Sequence, residues 1–129
     1  MQKPKVLVVD DEVDVRERLS NILSRNIECE VSQASSGEQA LEELKKSCFD
    51  LVVLDIKMPG LSGIDVIKEA AKFTPQTAFL AISAYDSKEV ADGALNAGAV
   101  DFLHKPLSKE AVELKVKDIL SRRGKYLPK

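Results

Sequence analysis

The sequence has few of the residues that build metal clusters, disulfide frameworks and aromatic platforms. Its 129 residues include two cysteines, one histidine and no tryptophan, and aromatic residues make up 5% of the chain. Cys29 and Cys48 form no CxxC pair and show no Cys/His spacing typical of zinc sites. We therefore expect two reduced, packed thiols without a chemical role, rather than a disulfide or a zinc site.

Long apolar segments and an excess of one charge are also lacking. The first apolar run, Val6 to Val9, ends at the acids Asp10 to Glu12 and is too short for a signal peptide or a membrane span. The formal net charge is -2, with acids and bases interleaved, which indicates no nucleic-acid surface. With 44% hydrophobic and 31% charged residues the chain has a globular composition, and we expect it in the cytoplasm, away from membranes and nucleic acids.

Short apolar runs alternate with helical patterns along the whole chain. Apolar residues recur at intervals of three and four between and after the runs, as on one face of a helix. Five strands alternating with five helices predict a doubly wound α/β domain, with a parallel sheet between two layers of helices. The five predicted strands are Lys5 to Val9, Glu30 to Ala34, Leu51 to Leu54, Ala78 to Ile82 and Val100 to Leu103.

The length of the chain indicates a single domain. After Leu120 the apolar pattern ends and the sequence becomes basic, in Arg122-Arg123-Gly124-Lys125. We therefore assign residues 1–121 to the domain and residues 122–129 to a C-terminal tail or the start of a linker.

Candidate site residues follow the ends of four of the five predicted strands. Binding sites in open parallel sheets form at the carboxyl ends of the strands, and a sheet of order 2-1-3-4-5, as in flavodoxin-like folds, would bring these four ends together. The second strand, at the edge of such a sheet, is followed by Ser35-Ser36 and no acid. The other strand ends carry Asp10-Asp11-Glu12, Asp55, Ser83 and Lys105-Pro106.

Three aspartates at one end of a sheet repel one another and need a compensating cation. Mg²⁺ prefers oxygen ligands and typically takes one or two carboxylates together with waters and a phosphate oxygen. We expect Asp11 and Asp55 as direct ligands, with Asp10 acting through water. Lys105 can neutralise Asp55 at rest and a phosphate when one arrives.

A carboxylate can also act as a nucleophile and form an aspartyl phosphate. Asp55 is the best candidate because it stands alone at the end of a central strand, whereas Asp10 and Asp11 lie side by side on the neighbouring strand. A metal, Lys105 and Ser83 would supply the positioning and charge neutralisation that phosphoryl transfer requires.

These features resemble the receiver domain of response regulators, the phosphoacceptor part of bacterial two-component signalling. The resemblance covers about residues 4 to 121 and rests on four motifs in the family's order. They are VLVVDDE, LVVLDIKMPGLSG, AISAYD and AGAVDFLHKP. Each motif alone is weakly specific, but the four together are highly specific.

The resemblance implies that a sensor histidine kinase donates a phosphoryl group to Asp55, with Mg²⁺ bound by Asp11, Asp55 and the backbone carbonyl of Lys57. Ser83 would then hydrogen-bond the phosphate, and Phe102 would rotate inward and reshape the face made by the fourth helix, fifth strand and fifth helix. A downstream effector domain or protein would bind this face, and homodimerisation on phosphorylation stays open. The protein would assist its own phosphorylation and dephosphorylation without turning over an external substrate.

The resemblance also implies a cis peptide bond between Lys105 and Pro106. At variable family positions the chain has Ser83 rather than threonine and Phe102 rather than tyrosine. Lys57 and Tyr85 occupy two further variable positions beside the phosphate, and their size suggests slow hydrolysis of the phosphoryl group.

Several of these residues also have structural explanations. Asp10 could cap the first helix, and Lys105 could be a solvated surface lysine. Ser83 could cap the fourth helix, although Asp86 and Ser87 are nearer to its start. Two further residues are expected to be ordinary parts of the fold. Phe102 should be partly buried in the core, and His104 should be exposed at the end of a strand.

Three other functions compete with a phosphorylated switch. A magnesium-dependent phosphatase with an aspartyl nucleophile would need an acid two residues after it, where this chain has Lys57. A nucleotide-binding domain would need a glycine-rich loop after the first strand, where this chain has three acids. A docking module that is never phosphorylated would not need the complete set of acids, serine and lysine.

Overall fold

The strands and helices lie close to the positions that the sequence predicts. The computed structural model describes residues 3–84 and 88–125, and within these ranges five strands alternate with five helices. The strands are β1 (Lys5–Val9), β2 (Glu30–Ala34), β3 (Leu51–Asp55), β4 (Ala78–Ser83) and β5 (Asp101–His104). The helices are α1 (Val13–Asn26), α2 (Gly37–Lys46), α3 (Gly63–Ala70), α4 (Lys88–Ala97) and α5 (Lys109–Arg122).

The five strands form one parallel sheet in the order β2-β1-β3-β4-β5, which confirms the predicted topology. Val9, the last residue of β1, pairs with Ala34 on one side and with Leu54 on the other. Asp55 pairs with Ile82 in the same register. The carboxyl ends of the central strands are therefore level with one another, so the residues that end them or follow them share one edge.

The core lies on both faces of the sheet because alternate residues of a strand point to opposite faces. In β1, Leu7 and Val9 pack toward the layer formed by α2, α3 and α4, whereas Val6 and Val8 pack toward α1 and α5. All five residues of β3 are buried. Burying one aliphatic side chain of this kind stabilises the fold by about 1.5–3 kcal/mol, so the two apolar layers hold β3 in place under Asp55.

Within the described residues, serine side chains cap three of the helices. Ser36 accepts a hydrogen bond from the backbone N–H of Gln39, and Ser108 accepts one from Ala111. Ser62 and Asp65 form a reciprocal capping box at the start of α3, the helix that follows the loop after Asp55. Each such cap contributes about 1 kcal/mol, so α3 begins at a fixed point relative to β3.

The prediction that both thiols are packed is wrong for Cys48. Cys48 lies beyond the end of α2 and is exposed, whereas Cys29 is half-buried and its thiol contacts the carbonyl of Leu23 at 3.8 Å. Burial raises the pKa of Cys29 to about 11. Helical spacing alone suggested that Cys48 continues the apolar face of α2, but the helix ends at Lys46 before reaching it.

Some expectations fall on residues outside the described part of the chain. These are the expectations for Tyr85 and for Asp86 or Ser87 as the cap of α4. The boundary between the domain and the C-terminal tail, placed after residue 121, stays a prediction. Helix α5 continues to Arg122, and residues 126–129 are not described. Within residues 3–84 and 88–125, none of the helices has the length and apolar character needed to cross a membrane.

Candidate functional site

Three aspartates meet at the carboxyl edge of the sheet, as the sequence predicts. Asp10 directly follows β1, Asp11 comes next, and Asp55 is the last residue of β3. Each offers one carboxylate oxygen, and these three oxygens lie within 4.8 Å of one another. Asp10 is 0% exposed and Asp55 is 4% exposed, whereas Asp11 is open to solvent. The cluster is thus a half-open group of oxygen donors, buried on the protein side and accessible from outside.

Asp10 is held by four hydrogen bonds. Its backbone N–H donates to the carbonyl of Ala34 at 3.2 Å, which joins it to the end of β2. Its Oδ1 accepts the backbone N–H of Glu12 at 2.9 Å, and its Oδ2 accepts the ammonium of Lys105 at 3.0 Å. Its carbonyl accepts the guanidinium of Arg16 at 2.9 Å. The N-cap of α1 is Glu12, so the alternative that Asp10 caps this helix is wrong.

Lys105 lies between the acids rather than in solvent. Its Nζ is 3.0 Å from Asp10 Oδ2, 3.1 Å from Asp55 Oδ2 and 3.7 Å from Glu12 Oε1, and its side chain is 15% exposed. The backbone N–H of Lys105 donates to the carbonyl of Ser83, and the Lys105–Pro106 bond is cis, as predicted. Burial lowers the pKa of Lys105, but its hydrogen bonds to Asp10 and Asp55 outweigh this effect and raise the pKa above its ordinary value.

The charge balance of the cluster is unfavourable for Asp55. Burial is the largest influence and raises the pKa of this carboxyl above its ordinary value; the neighbouring charge of Asp10 raises it further. Hydrogen bonds from Lys105 and from the backbone of Lys57 lower the pKa without cancelling the effect of burial. The candidate metal ligands are all carboxylate oxygens, and the three aspartates carry more negative charge than Lys105 neutralises. The residues therefore fit a hard divalent cation such as Mg²⁺.

The loop after Asp55 is tied to the end of β3 and to α3. The backbone N–H of Lys57 donates to Asp55 Oδ1 at 3.2 Å, while the side chain of Lys57 is exposed. The N–H of Gly63 donates to the carbonyl of Ile56 at 2.9 Å. A Cβ on Gly63 would lie 2.5 Å from the carbonyl oxygen of Asp55. Glycine at the start of α3 therefore allows the helix to pack directly against the backbone of Asp55.

Ser83 and Phe102 lie on the two strands beyond Asp55. Ser83 is buried at the end of β4 and pairs with His104 in the sheet. Phe102 is half-buried against the core, as predicted, and its ring contacts His104 edge-on at 4.9 Å between centroids. His104 is exposed at the end of β5, also as predicted, but its contact with Phe102 was not predicted.

Arg16 is a residue of the site that sequence reasoning missed. Its Nη1 donates to the Asp10 carbonyl and its Nε donates to Gln33 Oε1 at 3.3 Å, so one side chain joins α1 to the ends of β1 and β2. The available signal was an arginine six residues after Asp10, in the first half of a helix. That signal is weak, because arginines on exposed helix faces are common.

A comparison with known protein families agrees with the motifs. The model of the family described as the response regulator receiver domain matches residues 6–117. The chain belongs to this family. Receivers of this family act in phosphorylation-dependent signalling rather than in the turnover of a substrate, and response regulators interact with histidine kinases and effector domains.

Individual relatives are similar over most of this chain. The transcriptional regulatory protein ZraR of Klebsiella oxytoca is 38% identical over 116 residues, which cover 90% of this chain and 26% of ZraR. The chemotaxis protein CheY of Bacillus subtilis is 35% identical over 108 residues, which cover 84% of this chain and 90% of CheY. A CheY-like receiver structure from Methanospirillum hungatei has a TM-score of 0.90 at 27% identity and covers 96% of this chain and 98% of its own. The chain thus spans about a quarter of ZraR but most of CheY.

Proposed function

We propose that this chain is a phosphorylation-dependent switch of a two-component phosphorelay, which accepts a phosphoryl group from a sensor histidine kinase on Asp55. The observation that carries the proposal is the position of Asp55. It ends the central strand β3, it is buried, it lies among two other acids, and its Oδ2 is 3.1 Å from the Lys105 ammonium. Family membership supports the same reaction.

The reaction needs one nucleophile and fixed charges around it. A carboxylate oxygen of Asp55 forms a bond to phosphorus while the bond from phosphorus to the imidazole nitrogen of the donor histidine breaks, and the nitrogen keeps the electron pair. The backbone of Lys57 and the ammonium of Lys105 hold the carboxylate in place before the reaction. Lys105 then neutralises the phosphoryl oxygens, because it is a mobile cation already beside Asp55.

The proposed metal is Mg²⁺. Asp11 and Asp55 would hold it directly together with the backbone carbonyl of Lys57, and Asp10 would act through water. When bound, Mg²⁺ supplies charge neutralisation to the carboxylates and to the transferred phosphoryl group. The support from the structure is the trio of close carboxylate oxygens, one of them exposed.

Lys57 separates this proposal from a phosphatase. A phosphatase of this kind has a carboxylic acid at this position, which protonates the leaving group of the phosphate ester. The cationic side chain of Lys57 does not replace that acid. We therefore propose that external esters are not turned over and that the protein assists only its own phosphorylation and dephosphorylation. The exposed side chain of Lys57 also supports slow hydrolysis, since a large group beside the phosphate hinders an attacking water.

The output is proposed to follow from Ser83 and Phe102. Ser83 would hydrogen-bond the phosphate, and Phe102, now half-buried, would move inward and change the face formed by α4, β5 and α5. Three large apolar residues on or between these elements are exposed, which supports binding of an effector domain or protein, or of a second copy of the chain. They are Leu95, Val100 and Leu114.

Phosphorylation by a small donor tests the proposal. The protein is incubated with Mg²⁺ and acetyl phosphate, and its intact mass is recorded. We expect the gain of one phosphoryl group in the wild type, a weaker gain in Asp11→Ala or with a chelator, and none in Asp55→Ala. Asp118→Asn, which removes an exposed acid of α5, is the matched control and should behave as wild type.

Two other outcomes would favour the competing functions. Sustained hydrolysis of ordinary phosphate esters, lost in Asp55→Ala, would indicate a phosphatase. Absence of any phosphoryl gain, from acetyl phosphate and from a histidine kinase alike, would indicate a docking module and overturn the proposal.

A further inference from the structure

Arg16 joins three elements at the edge of the acid cluster, and its contacts within the described residues are to a backbone carbonyl and a side-chain amide rather than to a carboxylate. Its Nη1 donates to the backbone carbonyl of Asp10 at 2.9 Å, and its Nε donates to Gln33 Oε1 at 3.3 Å. Arg16 is half-buried in α1, Asp10 follows β1, and Gln33 lies in the edge strand β2. The planar guanidinium makes both contacts with its donors in a fixed fork.

The Asp10 carbonyl belongs to the peptide that leads into Asp11. The other polar groups of Asp10 are already fixed by Ala34, Glu12 and Lys105, so the hydrogen bond from Arg16 sets the remaining direction of this peptide. Asp11 is exposed, and its carboxylate depends on the orientation of its own backbone to face Asp55.

The charge of Arg16 and its hydrogen bond to Asp10 would have opposite effects on Mg²⁺ binding. A fixed cation at this edge repels a divalent cation through Coulomb interaction. If charge decided the outcome, removal of Arg16 would tighten Mg²⁺ binding, whereas if orientation decided it, removal would weaken binding. The two effects of Arg16 therefore predict changes of opposite sign.

We infer that Arg16 is a positioning residue for the proposed Mg²⁺ site, which fixes the Asp10–Asp11 peptide with Gln33 as its support. This inference rests on the proposed function. Groups that orient metal ligands typically change metal affinity by about 10-fold or more when they are removed, and orientation is expected to outweigh the repulsion of a half-exposed, screened charge.

The test measures Mg²⁺ binding directly rather than phosphorylation. Mg²⁺ is titrated into wild type and variants, and the dissociation constant is obtained from backbone amide NMR shifts of residues in the site. Arg16→Met should weaken Mg²⁺ binding about 10-fold. Gln33→Leu, which leaves α1 and Asp10 unchanged, should weaken it less, and Arg16→Lys should lie between wild type and Arg16→Met.

Arg18→Met is the matched control because it removes the same charge from an exposed position of α1. It should bind Mg²⁺ as wild type does. Thermal unfolding in EDTA separates a general loss of stability from a change at the site, since a purely structural role would lower Tm and leave the Mg²⁺ dissociation constant of the folded protein unchanged. If Arg16→Met does not fold, Gln33→Leu carries the test alone.

An Mg²⁺ affinity that is unchanged or tighter in Arg16→Met and Gln33→Leu would overturn the inference while leaving the proposed function intact. Absence of Mg²⁺ binding by the wild type would overturn both. Weakening in Arg16→Met and Gln33→Leu but not in Arg18→Met would support the inference.

Discussion

The two ends of the sheet differ in how their polar residues are paired. At the amino end, the hydroxyl of Thr77 donates to the carbonyl of Phe49 at 2.8 Å and shares a 2.7 Å hydrogen bond with Thr74. Asp50, at the same end, accepts the backbone N–H of Lys5 at 2.8 Å. At the carboxyl end, three aspartates lie close together, and Lys105 contacts two of them, Asp10 and Asp55. The amino end contains paired polar groups, whereas the carboxyl end contains an excess of like charge.

This difference separates stability from function within one fold. Buried polar groups that are paired add to the free energy of unfolding, whereas crowded carboxylates in a partly dry site reduce it. The raised pKa of Asp55 is a direct sign of that cost. We conclude that the carboxyl end reduces stability, and that the apolar layers and the amino end compensate for this loss.

The largest expected change in stability comes from packing against the backbone of Asp55 rather than from the charges of the acids. In Gly63→Ala, the new Cβ would lie 2.5 Å from the Asp55 carbonyl, and overpacking of this kind should cost about 3 kcal/mol in urea unfolding. Gly93→Ala is the control, because among the described residues the new Cβ would approach only the Ile64 side chain, at 3.4 Å. Equal stability of the two variants would contradict this packing.

The next largest effect is expected at the amino end. Thr77→Val removes a buried hydroxyl that serves both Phe49 and Thr74, and it should lower the free energy of unfolding by about 2 kcal/mol. Thr77→Ser keeps the hydroxyl and should lose less. A Thr77→Val variant as stable as the wild type would show that these hydrogen bonds do not stabilise the amino end.

At the carboxyl end, removing a polar group is expected to raise the free energy of unfolding rather than lower it. Asp55→Asn removes one of the crowded charges while Asp10 still pairs with Lys105, so the free energy of unfolding in EDTA should rise by about 1 kcal/mol. Binding of Mg²⁺ to the folded wild type, as proposed, should reduce or reverse this gain. A loss of stability in EDTA would contradict the contrast between the two ends.

The smallest effect is the pH dependence of that gain. Because the folded-state pKa of Asp55 is raised above 3.8, its ionisation disfavours the folded state as the pH rises through that pKa. The gain in Asp55→Asn should therefore be complete above the folded pKa and shrink as the pH falls toward 3.8. The cost of Thr77→Val should not vary in this range, because hydroxyls do not titrate there, and parallel pH profiles for the two variants would contradict the assignment.

The strands and the site could be predicted from the sequence because both depend on local patterns. Four predicted strands are continuous apolar runs, and the acids, serine and lysine directly follow strand ends, so the parallel topology alone brings them together. The observed β3 and β4 each extend by one residue to include Asp55 and Ser83. Apolar periodicity could not show this, because both residues are polar but remain hydrogen-bonded in the sheet.

What could not be predicted are contacts between residues that are polar and distant in sequence. Arg16 with Gln33, and Lys105 with Asp10 in addition to Asp55, depend on the lengths and directions of side chains from different elements. The exposure of Cys48 depends on the point at which α2 ends, which helical spacing does not define. These details are set by tertiary packing rather than by any local pattern.

The measurement that tests the account most directly is the location of the phosphoryl group. Borohydride reduces an aspartyl phosphate to homoserine, so protein treated with acetyl phosphate and Mg²⁺ can be reduced, digested and sequenced by mass spectrometry. The account predicts homoserine at position 55 in the wild type, strongly reduced when EDTA replaces Mg²⁺. Homoserine at position 10 or 11, or at no position, would contradict the assignment of Asp55 as the phosphoacceptor.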